Sequence, residues 1–521
     1  MKFAVRHLPL VAIVTAAACA PGTIAPPTEP RPQPAPQVPV PPLEQAEPIS
    51  AAEYAARRAA LAETMGDGLL LVLGTPLPVA DYLPFEQRSN FRYLTGVTEP
   101  GAALVIDKRG DQVEESLFVL PRDPTRETWE GRRLGADGAR ALTGIPSLTN
   151  DRLIAELEAR LPAHTSLYRA GGRLRTPTLG RPLGAEQQLV AALLEKFPGL
   201  AVRDVAPTLE RLRAHKSPAE IDLLTRAIHI TVLAHLEAAR AAAPGMNEFE
   251  IQALVEYTFR RNGADGPGFS SIIGSGPNST TLHYNENDRF SQPGEVLLMD
   301  VGASYRGYTA DITRTIPLNG TFSPRQREIY QLVLEAQEAA ESMVRPGATW
   351  AELDAAAEGV MARRLAELGL IDAPDATYRC ESPRFGVICP QYRLYYMHGL
   401  GHGIGLDVHD PDPSHLGAFA EGSIFTIEPG IYIRADALDH LPDTPENRAM
   451  AERLRPVLER YVDIGVRIED NYLLTGDGLV RLSAGAPREM DEIEALMRQP
   501  GRIGAPRNLE IVEWYRRTEP R

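Results

Sequence analysis

The stretch LLMDVGASYRGYTADITRTIP, from Leu297 to Pro317, decides the fold of the C-terminal half of this 521-residue chain. Two apolar, β-branched runs flank a turn-like centre that contains Gly307, a pattern typical of a β-hairpin. Each run is interrupted by one acid, Asp300 or Asp311. If the hairpin is symmetric about residues 305 and 306, the two carboxylates lie directly opposite each other, where like charges destabilise a sheet. A divalent cation between them would reverse that effect; the alternative is a slipped register that sends one Asp to solvent.

Two later strand-like runs carry acids in the same way. SIFTIEPGIYI contains Glu428, and VDIGVRIEDNYLLT contains Glu469. Acids are depleted from strands, and a buried carboxylate is costly unless it is paired or coordinates a metal. A single such residue could protect an edge strand from aggregation, but four are better explained by one shared metal site.

The glycine-rich stretch MHGLGHGIGLDVHD supplies a nitrogen ligand. His402 lies between Gly401 and Gly403, which let the backbone and a metal approach closely. Two Asp, two Glu and one His form a mostly oxygen ligand set, which favours Mn(II) or a similar divalent ion over a structural zinc site. Five ligands, several able to bridge, suit two ions roughly 3.5 Å apart.

The rest of the chain divides by its periodicity. Helix-like and strand-like segments alternate from residue 50 to 207, which predicts an N-terminal α/β domain. A capping box formed by Ser217 and Glu220, with Pro218 in the first turn, opens the next region. Long helices are predicted at 218–242, 247–262, 323–344 and 349–368. Together with a largely antiparallel sheet, they indicate an α+β catalytic domain over residues 208–497.

The first 19 residues are typical of an export signal, with a positively charged start and an apolar stretch too short to span a bilayer. The sequence TAAAC resembles a bacterial lipobox, in which Cys19 would be lipidated; ordinary signal-peptidase cleavage after Ala18 or Ala20 is the alternative. Residues 20–49 form a proline-rich linker. We therefore expect an exported, periplasmic protein tethered to the membrane.

The net charge and the cysteines indicate which binding partners to exclude and where a disulfide is expected. The net charge of −15 argues against nucleic-acid binding. Cys380 and Cys389 lie nine residues apart in a proline- and glycine-containing segment. In an exported protein a local disulfide is expected, with two buried free thiols as the alternative.

At this point the residues resemble the pita-bread metallopeptidases, and within them the aminopeptidase P branch. The likeness runs from about residue 50 to 495. It depends on IIGSGPNSTTLHYNEND, LLMDVGASYRGYTADITRTIP, HGLGHGIGLDVHD, TIEPGIYI and GVRIEDN, and in the N-terminal half on FEQRSNFRYLTGVTEPGAALVI and WEGRRLG. The resemblance implies a pita-bread catalytic domain preceded by a creatinase-like α/β domain. It also implies removal of the N-terminal residue from peptides with proline in second position, by a hydroxide held between two metal ions.

The resemblance also implies roles for individual residues. Asp300, Asp311, His402, Glu428 and Glu469 match the five metal ligands, and Glu428 would in addition shuttle a proton. His283 and His409 match histidines that contact the substrate or the tetrahedral intermediate. His398 matches a residue that lines the pocket for the penultimate proline, with a purely structural role as the alternative. Arg467 matches an arginine that orients the bridging Glu, although it could simply pair with Glu469. Tyr432 is interpreted as a packing residue.

Two segments depart from the family pattern, residues 373–395 and 434–463, and both adjoin the site. The tail at 498–521 has no counterpart. Relatives are often dimers or tetramers, so a homo-oligomer is expected. Competing hypotheses are prolidase, which uses the same ligands on dipeptides, and a pita-bread binding protein or a creatinase-like hydrolase without the metal set.

Overall fold

A six-stranded mixed sheet forms the centre of the N-terminal domain in this computed structural model, which describes residues 48–78, 85–171, 183–383 and 386–501. The strands are β1 (Gly68–Leu73), β2 (Ala103–Arg109), β3 (Gln112–Val119), β4 (Ser147–Thr149), β5 (Ser166–Arg169) and β6 (Ala201–Asp204). Their order is β4-β3-β2-β1-β5-β6, with β1, β2 and β3 antiparallel and the remaining pairs parallel. Strand β1 is an unbroken apolar run because it is covered on both faces, Leu70 packing in one cluster and Leu69 in another.

Seven helices accompany this sheet in the described residues, as the alternating pattern predicts. They are α1 (Ala51–Glu63), α2 (Ser89–Thr95), α3 (Pro124–Glu130), α4 (Gly135–Thr143), α5 (Leu153–Arg160), α6 (Ala185–Lys196) and α7 (Ala206–Ala214). Helix α1 begins after Ser50, whose hydroxyl accepts a hydrogen bond from the Glu53 amide. The α/β interpretation of this region is confirmed.

The four long helices predicted for the second region are present within about three residues of their expected ends. The helices of this region are α8 (Pro218–Ala241), α9 (Glu248–Arg261), α10 (Pro324–Glu341), α11 (Trp350–Glu367), α12 (Pro445–Leu458) and α13 (Met490–Met497). The capping box of Ser217 and Glu220 forms as expected, with Pro218 in the first turn.

The strands of the second region form small, mostly antiparallel sheets between these helices. They are β7 (Gly266–Pro267), β8 (Ile272–Ser275), β9 (Val296–Val301), β10 (Ala303–Tyr305), β11 (Tyr308–Thr309), β12 (Ile312–Pro317), β13 (Thr377–Ser382), β14 (Gly386–Pro390), β15 (Ile424–Ile427), β16 (Gly430–Ile433), β17 (Ile464–Arg467), β18 (Asp470–Thr475) and β19 (Gly478–Arg481). The sheet orders are β11-β10-β7, β12-β9-β8, β15-β18-β19, β16-β17 and β13-β14. Helices and sheets share one core, which confirms the α+β class.

The register of the β9–β12 hairpin differs from the prediction. Asp300 pairs with Thr313, so Asp311 is not directly opposite Asp300. The hairpin is centred between Arg306 and Gly307, both with positive φ, because these two residues form the tight turn. The slip is two residues, and side chains alternate with period two, so both carboxylates keep the same face of the hairpin.

A close approach of backbones at Gly302 breaks this hairpin just before Asp311. A Cβ at residue 302 would lie 1.7 Å from the carbonyl oxygen of Ala310, so only glycine fits. The break separates β10 and β11 from β9 and β12 and leaves Asp311 outside the regular ladder, next to β12.

The two segments that depart from the family pattern pack against each other. Residues 373–395 contain the β13–β14 hairpin, whose strands are joined by a disulfide between Cys380 and Cys389. Residues 434–463 contain α12, and Asn447 of this helix exchanges hydrogen bonds with the backbone of Arg379 at 2.9 and 3.1 Å. The two segments therefore form one joint structure.

Several predicted features lie outside the described residues. They are the signal peptide (1–19) with Cys19, most of the linker (20–49) and the tail beyond residue 501. Across the ranges that are described, every helix is too short or too polar to cross a bilayer.

Candidate active site

The imidazole of His402 lies at the centre of a buried group of carboxylates. Its Nε2 is 3.4 Å from Glu428 Oε1, 3.5 Å from Asp311 Oδ2 and 4.0 Å from Glu469 Oε1. Nδ1 lies 3.0 Å from the carbonyl oxygen of Gly403, to which it can donate, leaving the Nε2 lone pair directed at the carboxylates. This is the tautomer that a metal-binding histidine needs.

The local fold explains how these side chains meet. Glu428 lies in the short break between β15 and β16, and Glu469 lies in the break between β17 and β18. Because β15 pairs with β18 and β16 pairs with β17, the two breaks lie side by side in one antiparallel ribbon. The backbone of His402 joins this ribbon through the Thr426 amide, which donates to the His402 carbonyl at 2.8 Å. A Cβ at Gly401 would lie 2.2 Å from the Thr426 carbonyl oxygen, so the glycine beside the histidine is required for this approach.

The fifth predicted ligand, Asp300, is held by Arg467. The guanidinium Nη2 is 2.6 Å from Asp300 Oδ2, and both residues are buried. The alternative pairing of Arg467 with Glu469 is not what the structure shows. Thr313 instead lies between them, accepting from Arg467 Nε at 3.1 Å and donating to Glu469 Oε2 at 2.8 Å.

The unpartnered atoms of this group are those that a cation would satisfy. Asp300 Oδ1, Asp311 Oδ1 and Glu469 Oε1 are buried and have no hydrogen-bond partner among the described residues. Four carboxylates here face one guanidinium, which leaves an excess of negative charge in a buried position. Oxygen-rich ligands with one imidazole fit hard or borderline divalent cations, so these residues fit a metal centre.

The pKa values of the side chains in this group agree with a metal-binding role. Burial, followed by the charges of Glu469, Asp300 and Glu428, raises the pKa of Asp311 well above its usual range. Burial also raises the pKa of Glu469, with Glu428 and Asp300 adding to the shift. The pKa of Glu428 rises to about 8, chiefly because the carboxyl is buried, with Arg467 opposing the shift and Asp300 adding to it. Burial lowers the pKa of His402 to about 4, so the imidazole is neutral and free to bind a cation.

These shifts predict how the stability of chelated protein depends on pH. Between the ordinary pKa of 4.5 and the raised value of about 8, Glu428 holds a proton in the native state but not in the unfolded chain. Its contribution to the unfolding free energy therefore falls as pH rises through this range. Between about pH 5.5 and pH 8, we expect chelated wild-type protein to lose on the order of 1–3 kcal/mol more stability than Glu428→Gln. Denaturant unfolding at both pH values measures this, and identical pH dependence of the two proteins would contradict it.

The two histidines predicted to contact the substrate lie on the surface of the protein. His283 and His409 are exposed, and the His409 ring is 4.1 Å, centroid to centroid, from the His402 ring. The pKa of His409 is lowered by desolvation and by the neighbouring His283. His409 therefore lies at the edge of the carboxylate group, and His283 lies close enough to His409 to lower its pKa.

His398 and Tyr432 form a polar link that the sequence did not suggest. The Tyr432 hydroxyl is 2.8 Å from His398 Nε2 and accepts from Arg467 Nη1 at 2.7 Å. Tyr432 was interpreted as packing; it is fully buried, but it also connects His398 to the arginine that holds Asp300. A tyrosine three residues after Glu428-Pro429 in a strand gives no signal of that link, because the partners are distant in sequence.

Comparison with known proteins places this geometry in a family. The model of metallopeptidase family M24 matches residues 222–476, and that of the aminopeptidase P N-terminal domain matches residues 54–168. The Xaa-Pro aminopeptidase of Escherichia coli is 35% identical, covering 86% of this chain and 98% of that relative. The Xaa-Pro aminopeptidase of Haemophilus influenzae is 37% identical, covering 80% of this chain and 89% of that relative.

Solved structures agree. An aminopeptidase P variant of E. coli in complex with substrate superposes with a TM-score of 0.73 at 34% identity, covering 87% of this chain and 99% of that chain. The proline aminopeptidase P II of Yersinia pestis gives the same TM-score at 32% identity, covering 86% and 99%.

Proposed function

The chain belongs to metallopeptidase family M24, and on that premise we propose that it is an Xaa-Pro aminopeptidase, removing the N-terminal residue from peptides whose second residue is proline. The observation that carries the proposal is the convergence of Glu428, Asp311 and Glu469 on His402 Nε2, with Asp300 held alongside by Arg467. A buried group of this composition has no stable state without cations or protons.

The residues that would hold the metal are Asp300, Asp311, His402, Glu428 and Glu469. Two divalent cations bound there would lower the pKa of a water molecule and polarise the scissile carbonyl. We propose manganese, because the ligand set is rich in oxygen and contains one imidazole. Metal analysis of protein purified from its native host tests this; a predominance of zinc would contradict it.

The protein side chains supply the remaining steps. Glu428 would take a proton from the attacking water and pass it to the leaving nitrogen. His409 and His283 can donate hydrogen bonds to the carbonyl oxygen as negative charge develops on it, a role that typically supplies several kcal/mol. Arg467 holds the Asp300 side chain in place, with Nη2 2.6 Å from Oδ2. His398, fixed by Tyr432, would line the side occupied by the proline ring.

Peptide length separates this function from that of prolidase. We expect the protein to release only the first residue from Xaa-Pro-Yaa tripeptides and from longer peptides. Mass spectrometry of the products measures this. Xaa-Pro dipeptides assayed in parallel should be cleaved much more slowly. Hydrolysis confined to dipeptides would contradict the proposal, and no hydrolysis by metal-loaded protein would favour a binding role instead.

We further propose that the protein is exported and lipidated at Cys19. The positively charged start, the short apolar stretch and TAAAC support export, and the disulfide between Cys380 and Cys389 is consistent with an oxidising compartment. Membrane fractionation of wild-type protein and Cys19→Ala tests the anchor: wild type in the membrane and the variant in the soluble fraction would support it. By the same family likeness we propose a homo-oligomer, which light scattering on the purified protein would reveal.

A further inference from the structure

The loop from Gly403 to Asp410, here called the His409 loop, is closed at its base. The Asp410 amide donates to the Gly403 carbonyl at 2.9 Å, so the two ends of the loop pair like neighbouring strands. This closure places His409, one residue inside the loop, against His402, one residue outside it. The loop is also tied to the hairpin of metal-binding aspartates, because the Thr309 amide donates to the Gly405 carbonyl at 2.8 Å.

A buried cluster of charged side chains binds the C-terminal end of this loop. Lys216 Nζ donates to Asp410 Oδ2 and to the Pro411 carbonyl, both at 2.7 Å, and the Arg213 guanidinium donates to Asp410 Oδ1. The side chains of Lys216 and Asp410 are 1% and 2% exposed. Two cations are therefore matched to one carboxylate that has almost no access to solvent. None of these three residues belongs to the metal site, and in the described part of the chain none makes a hydrogen bond or ion pair with a side chain of that site.

The two cations come from the segment that joins the N-terminal domain to α8. Arg213 is in α7, and Lys216 lies between α7 and α8. Arg213 also donates to Asn90 Oδ1 of α2 at 2.8 Å and to Asp407 Oδ2 at 2.5 Å. Ser89, at the start of α2, donates to the other oxygen of Asp407 at 2.5 Å. The N-terminal domain and the interdomain segment thus hold the His409 loop through several charged contacts.

We infer that Lys216 and Arg213 are positioning residues for the hydrolysis, acting through Asp410 to hold His409 in place; the inference rests on the proposed function. The physical reason is that His409 is exposed and its ring makes no hydrogen bond with any residue the structure describes, so its position depends on the backbone of its loop. Without Lys216, the carboxylates of Asp410 and Asp407 would share the single guanidinium of Arg213, and the loop would shift so that Asp410 reaches water. A displacement of 1 Å at a catalytic group can reduce a rate about 100-fold.

A matched pair of variants separates positioning from general stability. Lys216→Met should lower kcat roughly 10- to 100-fold and change KM less than about threefold. Lys216→Arg, which keeps the charge, should recover most of the loss. The control is Arg58→Met: Arg58 is a cation buried to a similar degree, which also contacts one carboxylate, Glu115, and one backbone carbonyl, that of Leu94. Arg58→Met should lose stability while kcat stays within about twofold of the wild-type value.

A measurement that does not depend on catalysis tests the same inference. In chelated protein, hydrogen–deuterium exchange of peptides covering 403–412 should be faster in Lys216→Met than in wild type and unchanged in Arg58→Met. Equal exchange in all three proteins would overturn the inference, since the loop would then be held without Lys216.

A double-mutant cycle with His409→Ala decides whether the effect passes through His409. In the His409→Ala background, Lys216→Met should reduce kcat less than about threefold, because the group it positions is already gone. Multiplication of the two single effects, or a small effect of His409→Ala alone, would overturn the inference. If Lys216→Met does not give folded protein, Arg213→Lys is used in the same cycle. A lysine at residue 213 cannot bridge Asp407 and Asp410 as the guanidinium does. Wild-type cleavage of an Xaa-Pro-Yaa peptide is measured first, so failure of the proposed function is a separate result.

Discussion

Asp311→Asn should abolish peptide hydrolysis, with kcat/KM at least about 1,000-fold below wild type, because the substitution removes an anionic oxygen from the centre of the carboxylate group. Metal bound per chain should fall in the same variant, as measured by elemental analysis after dialysis. The side chain keeps its size, so the fold should not be affected. In chelated protein the variant should be at least as stable as wild type, because the amide needs no charge at a position where burial raises the pKa of the carboxyl.

The control for this prediction is Asp491→Asn. The Asp491 side chain is 94% exposed, so the same chemical change there should leave hydrolysis and metal content unaltered. An Asp311→Asn protein that retains wild-type hydrolysis, or that binds as much metal as wild type, would contradict the assignment of Asp311 as a ligand.

The second large effect concerns stability. Arg314 is almost completely buried behind the site, where it donates to Asp470 Oδ1 at 2.6 Å and to four backbone carbonyls at 2.7 to 2.9 Å. One of those carbonyls belongs to Glu469. We expect Arg314→Met to lower the unfolding free energy by about 3–5 kcal/mol, because Asp470 would keep a buried charge without its main partner. Denaturant unfolding of the metal-free protein measures this directly.

An exposed ion pair provides the comparison. Arg448 pairs with Asp443 on the surface of α12, and both side chains are more than half exposed. Arg448→Met should change the unfolding free energy by less than about 1 kcal/mol. If Arg314→Met were no more destabilising than Arg448→Met, the ionic cluster behind the site would not support the fold.

The sequence was informative wherever a local pattern had one physical meaning. Acids inside β-branched runs predicted Asp300, Asp311, Glu428 and Glu469 as one site, and the structure brings Asp311, Glu428 and Glu469 around His402. The predicted register of the hairpin was wrong by two residues. The turn is formed by Arg306 and Gly307, and this pair is less characteristic of tight turns than Asn-Gly. The error did not change the face of either carboxylate, because the side-chain period is two.

Contacts between distant residues could not be predicted in this way. Lys216 and Asp410 are 194 residues apart, and nothing in the composition around either residue indicates a partner. The ion pair of Arg467 with Asp300 spans 167 residues, so the sequence offered only the nearby Glu469 as an alternative partner for Arg467. Such pairs are set by how the helices and sheets pack together, and that packing is not encoded in any short stretch of sequence.

Anomalous diffraction from crystals grown with Mn(II) tests most directly whether these acids are buried because they bind cations. Two peaks should appear among the carboxylate oxygens of Asp300, Asp311, Glu428 and Glu469 and the Nε2 of His402, and both should vanish in Asp311→Asn or after chelation. Metal-saturated crystals without a peak at that position, or with their manganese bound elsewhere, would contradict the account.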